Sequence, residues 1–121
     1  MESESSLSLL PFGLIELDTT GKVLYYKPEQ WDGFETPPPD ILGRNLFTEV
    51  KPIAETTAFQ DQIKSFSRGH APAISFNFTF EYGQKTFPVR VLLARIHEKS
   101  GISRTESLFV HIRLGQHQMA A

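Results

Sequence analysis

The longest regular pattern in the chain is an alternation of period two over residues 73–82. Ile74, Phe76, Phe78, Phe80 and Tyr82 fall on one side, with Ala73, Ser75, Asn77, Thr79 and Glu81 on the other. Ten residues of this pattern predict a strand with one buried face. Its aromatic side chains would each contribute on the order of 1.5–3 kcal/mol on burial. Gly83-Gln84 turns the chain, and residues 87–96 predict a second long strand. Residues 98–107 are polar, contain Gly101 and predict a loop. A third strand follows over residues 108–114, with Leu108, Val110, Ile112 and Leu114 on one face. Near the N-terminus, residues 12–18 and 22–26 are short apolar or alternating runs separated by Asp18-Thr19-Thr20-Gly21. That arrangement predicts a hairpin, with Glu16 and Asp18 outward and Ile15 and Leu17 or their neighbours inward.

Between the two groups of strands the pattern changes. Pro28, Gly33 and the run Pro37-Pro38-Pro39 break residues 27–40 into short turns around a rigid loop. Asp40 predicts a cap for a brief turn over Ile41 and Leu42 that stops at Gly43. A helix is predicted from Thr57: Thr57 and Gln60 have capping-box spacing, and Phe59, Ile63 and Phe66 form an apolar stripe. Gly69 predicts a left-handed end to that helix. The order strand, strand, short helices, longer helix, three strands predicts an α+β fold. A five-stranded antiparallel sheet would have its helices on one face.

Length and composition narrow the class. At 121 residues the chain has room for one core. A hydrophobic share of 40% with 21% charged residues is that of a globular domain, and a net charge of -2 gives no footprint for nucleic acid or an anionic membrane. The charge is uneven: residues 1–61 hold eleven acids and four bases, and residues 62–121 hold three acids and eight bases. The halves are read as neutralising one another within a single fold. The chain contains no cysteine, so disulfides, zinc thiolates and thiol nucleophiles are excluded. No apolar run reaches the ~20 residues of a membrane span, and the expected location is cytoplasmic.

Three stretches carry a family resemblance. They are residues 11–18 (Pro-Phe-Gly-Leu-Ile-Glu-Leu-Asp), residues 43–53 (Gly-Arg-Asn-Leu-Phe-Thr-Glu-Val-Lys-Pro-Ile) and residues 76–82 (Phe-Asn-Phe-Thr-Phe-Glu-Tyr). In order and spacing they resemble the photoactive yellow protein branch of PAS domains. The likeness spans roughly residues 11–114, leaving residues 1–10 as an N-terminal extension and 115–121 as a flexible tail. It implies the PAS fold and a sensory or protein-interaction role in signal transduction. In that branch the residue at position 53 is the cysteine that carries a cinnamoyl thioester. Here it is Ile53, and covalent photochemistry by that route is chemically excluded.

Other positions depart with it. The resemblance places the pigment's phenolate partners at Tyr26, Gln30 and Phe34, where the family has tyrosine, glutamic acid and threonine. Glutamine donates hydrogen bonds but releases no proton, and phenylalanine replaces a small hydroxyl with bulk. The common PAS asparagine after the second strand is Lys27. The pocket is therefore expected to be repacked and apolar, with Tyr26, Gln30, Phe34, Phe47, Ile53 and Phe78 as its candidates. Tyr26 and Gln30 read as a buried hydrogen-bonded pair before they read as ligand contacts. Ile53 is expected to pack with Tyr26, Phe34 or Phe47.

Other chemistry is sparse. Leu46 stands where related flavin sensors have a reactive cysteine, which excludes a thiol adduct. No cofactor is expected, and non-covalent flavin or another apolar ligand is the alternative. The predicted helix has no histidine for haem, His70 past its end reads as a carbonyl cap, and His97, His111 and His117 have no metal spacing. Arg90, Arg95 and Arg113 read as solvated outer-face residues. No catalytic motif is present, so a small cone-shaped α+β enzyme is the lesser alternative. Leu7, Leu9 and Leu10 precede the first strand without an evident core partner, which points to a homodimer or an effector protein as partner.

Overall fold

The computed structural model describes residues 10–29, 40–82, 85–100 and 103–115. Five strands form one antiparallel sheet: β1 (Gly13–Leu17), β2 (Val23–Pro28), β3 (Ala73–Tyr82), β4 (Lys85–Ser100) and β5 (Ser103–Leu114). Their order across the sheet is β2-β1-β5-β4-β3. The helices α1 (Leu46–Glu49) and α2 (Thr57–Arg68), with a 3₁₀ turn at Ile53–Glu55 between them, lie in the chain between β2 and β3. The expected α+β architecture is therefore present.

The N-terminal hairpin forms because Asp18 organises its own turn. One carboxylate oxygen accepts from the Thr20 amide at 2.8 Å, the Thr20 hydroxyl at 2.7 Å and the Lys22 amide at 3.0 Å. These bonds, that from the Thr20 hydroxyl foremost, hold the Asp18 carboxyl below its ordinary pKa. Gly21 follows at φ 98°, where a Cβ would come within 2.6 Å of the Phe47 ring. Asn45 then ties α1 to this turn: its side-chain amide donates to Thr20 O at 3.0 Å, and its Oδ1 accepts from the Phe47 amide at 2.9 Å. The Gly-Arg-Asn run thus serves to cap a helix and to anchor it. Asp40 contributes its carbonyl to the Arg44 side chain at 3.0 Å, in place of the expected side-chain cap.

Both ends of α2 differ from expectation. Its N-cap is Thr56, with no side-chain cap bond. Gln60 is drawn instead to Ile53 O at 2.9 Å and Phe47 O at 3.3 Å, and Thr56 Oγ1 donates to Pro52 O at 2.8 Å. Tertiary carbonyls outcompete the local box, and one glutamine links α1, the 3₁₀ turn and α2. At the other end Gly69 is extended (φ −91°, ψ −162°), not left-handed. Arg95, and not His70, supplies the missing donors. Its guanidinium reaches Phe66 O at 2.7 Å, Gly69 O at 3.0 Å, Ala71 O at 3.2 Å and Ser67 O at 3.3 Å. It also lies 4.7 Å from the centre of the Phe66 ring. Arg95 is therefore an inward, helix-capping residue, whereas Arg90 and Arg113 are exposed as expected.

The core lies between sheet and helices. Ile15 and Leu17 from β1, Phe59 and Ile63 from α2, Val91 and Leu93 from β4, and Val110 and Ile112 from β5 are all buried. On β3 only Phe80 is fully buried among the described side chains. Ile74, Phe76 and Phe78 are partly covered, because β3 is an edge strand with a single neighbour. Leu114, at the last position of β5, is 43% exposed. The loop expected over residues 98–107 is mostly strand, since β4 and β5 stay paired from Glu98↔Thr105 to Ser100↔Ser103. A ladder needs only a partner backbone to continue, whereas the apolar alternation that betrays it ends at Ile96.

Candidate functional site

The position that the resemblance assigns to the pigment bond holds an alkyl side chain. Ile53 opens the 3₁₀ turn and is 0% exposed within the core cluster. Tyr26 and Phe47 are partly buried and pack against the same cluster. The Gln60 side-chain amide donates to Ile53 O, which ties the turn to α2. No thiol or other nucleophile stands at residue 53.

Tyr26 enters from β2 at the pair Ile15↔Tyr26. Its hydroxyl donates to Phe12 O at 3.0 Å. Burial of the ring pushes its pKa up to about 12, so the phenol stays neutral through the physiological range. Gln30 and Phe34 lie outside the described residues, and the expected Tyr26–Gln30 pair with them. The main-chain acceptor at Phe12 gave no sequence signal, because β1 and β2 must first pair for it to come within reach.

Phe78 belongs to a separate aromatic group. Phe59 on α2 meets Phe78 at 5.1 Å with the rings edge to face, Phe80 at 4.9 Å and Phe76 at 6.2 Å. Phe78 and Phe80 pack edge to face at 4.9 Å. Such contacts favour a filled interior over an open one. Phe59 and Phe80 were absent from the pocket candidates, although the stripe on α2 and the alternation on β3 both point them inward.

Of the four described candidates, Phe47 and Phe78 border different clefts. Phe78 borders a cleft of about 720 Å³ shared with Val89, Arg90, Arg113 and Leu114. Phe47 borders another of about 400 Å³ beside the β1–β2 turn, and neither cleft is lined by Tyr26 or Ile53. Of the dimer candidates, Leu7 and Leu9 lie outside the described residues. Leu10 is 2% exposed and belongs to the chain's own core, so it does not lack a partner. Among the described residues no group of side chains could hold a metal ion. No helix there is long and apolar enough to cross a membrane.

No family model matches the chain. It is 33% identical over 89 residues to a photoactive yellow protein of Halochromatium salexigens, spanning 74% of this chain and 71% of that one. A photoactive yellow protein of Rhodothalassium salexigens is 28% identical over 93 residues, 76% of this chain and 74% of its own length. Among solved structures, the photoactive yellow protein domain from the sensor histidine kinase Ppr of Rhodospirillum centenum aligns with a TM-score of 0.54. It is 23% identical, over 88% of this chain and 96% of that domain.

Proposed function

Because this chain belongs to the photoactive yellow protein family of PAS domains yet has no cysteine, we propose that it is a non-enzymatic sensory module whose input is not light absorbed by a thioester-bound pigment. The observation that carries this reading is Ile53, fully buried at the position that the resemblance gives to the attachment cysteine. The relative that forms part of a sensor histidine kinase supports a role in signal transduction. A ligand or partner would act by favouring one packing of the segment between β2 and α2 against the sheet, and it can shift that balance only by its differential affinity for the two packings. Purified protein is expected to be colourless, and to remain so after incubation with thioester-activated p-coumaric acid. A visible absorption band that survives denaturation would overturn the reading.

Self-association is the interaction mode we favour. With Leu10 in the core, the contact moves to the outer face of the sheet. There Leu92 is 44% exposed, in register with His111 and Leu14, and Ala94 pairs with Phe109 alongside. Sedimentation velocity should show a dimer at high micromolar concentration that Leu92→Lys dissociates. A wild-type monomer under those conditions would rule the mode out.

A further inference from the structure

We propose that the cleft of about 400 Å³ between the β1–β2 turn, α2 and β5 binds a small organic anion, a carboxylate on a flat apolar body. The inference goes beyond the sensory reading above and stands or falls on binding alone.

The volume suits a compact ligand. Leu17, Phe47, Ile63 and Leu108 provide the apolar wall. Four charged residues border it, Asp18, Lys64, Arg95 and Glu106, and they are unequally committed. Asp18 already accepts three hydrogen bonds through one oxygen, and Glu106 lies 3.5 Å from His97 Nδ1. The cationic side has capacity to spare. Lys64 has no carboxylate partner among the described residues and lies 5.2 Å from the centre of the Phe47 ring. Arg95 directs Nε and Nη2 at helix-end carbonyls. Its Nη1 makes one bond, to Ser67 O at 3.3 Å, which leaves a second N–H. Lys64 and Arg95 both border the cleft.

Free donors beside an apolar wall describe the ligand. Its carboxylate meets Lys64 and the spare N–H of Arg95, where charge-assisted bonds are strongest. Its flat body lies against Phe47 and Leu108. A neutral N–H or O–H elsewhere on the ligand suits Asp18, which also borders the cleft. Arg95 makes the site more than a surface cleft, because the group that would receive the anion also holds the end of α2.

Indole-3-acetate has this layout and serves as the probe, with indole-3-acetamide as its uncharged counterpart. Titrated at millimolar concentration into the ¹⁵N-labelled chain, the acid should shift amide signals of Thr20, Gly21, Thr48 and Ser107. The acetamide, and the acid with Lys64→Gln, should each bind at least about tenfold more weakly, the loss of one charge-assisted contact. Lys64 is exposed, so the variant should keep its remaining amide spectrum. Absence of shifts, shifts centred elsewhere, or equal binding of acid and acetamide would overturn the proposal. So would undiminished binding by Lys64→Gln.

Discussion

Phe59→Ala should lower the stability of this domain by about 3–5 kcal/mol, the range for truncating a fully buried phenylalanine. Phe59 is 0% exposed and is the only helical member of a four-ring group with Phe76, Phe78 and Phe80 on β3. Its removal takes apolar area from the core and leaves three rings without their common neighbour. β3 is an edge strand and cannot close over the gap from its free side. A domain of this kind has about 5–15 kcal/mol in total, so the midpoint of urea unfolding should fall steeply at an unchanged slope. A loss below about 1 kcal/mol would mean that α2 does not rest on β3 as described.

Ile53→Ala is the second large effect, expected at about 2–5 kcal/mol, with Ile53→Val at about 0.5–1.5 kcal/mol. The side chain is fully enclosed, and the Gln60 bond to its carbonyl prevents the 3₁₀ turn from collapsing into the space. A loss below about 0.5 kcal/mol for the alanine variant would show an empty or exposed site. Ile53→Cys gives an independent reading. Its thiol should react with a soluble thiol reagent only as fast as the region opens, so rapid labelling of folded protein would contradict enclosure.

How far the sequence foretold this molecule depends on how local each signal was. The alternations on β1 and β3 and the stripe on α2 need only their own segment, and they placed Ile15, Leu17, Phe59, Ile63 and Phe80 on the correct faces. The α2 caps failed because their competitors are distant in sequence: Gln60 is taken by carbonyls on α1 and the 3₁₀ turn, and Gly69 is relieved by a guanidinium 26 residues away. Arg95 was legible and was overruled by its charge. It continues the inward series Val89, Val91 and Leu93, and the period of two placed it beneath the helix although arginine is ordinarily a surface residue. The polar continuation of β4 and β5 left no trace, because hydrophobic alternation reports buried faces and not backbone pairing. Ile53 is buried as expected, and Tyr26 packs against the core. The hydroxyl's actual partner, a main-chain carbonyl of residue 12, depends on strand register.

Arg95 also fixes a length. Its backbone amide donates to Pro72 O at 3.0 Å while its side chain binds the carbonyls of residues 66, 67, 69 and 71. Main chain and side chain of one residue therefore measure the same short connection from opposite ends. One residue added or removed between Gly69 and Pro72 would break register with both at once, since no single shift of the strand restores the two sets together. Changes in chain length should therefore be purged from the four residues that follow α2.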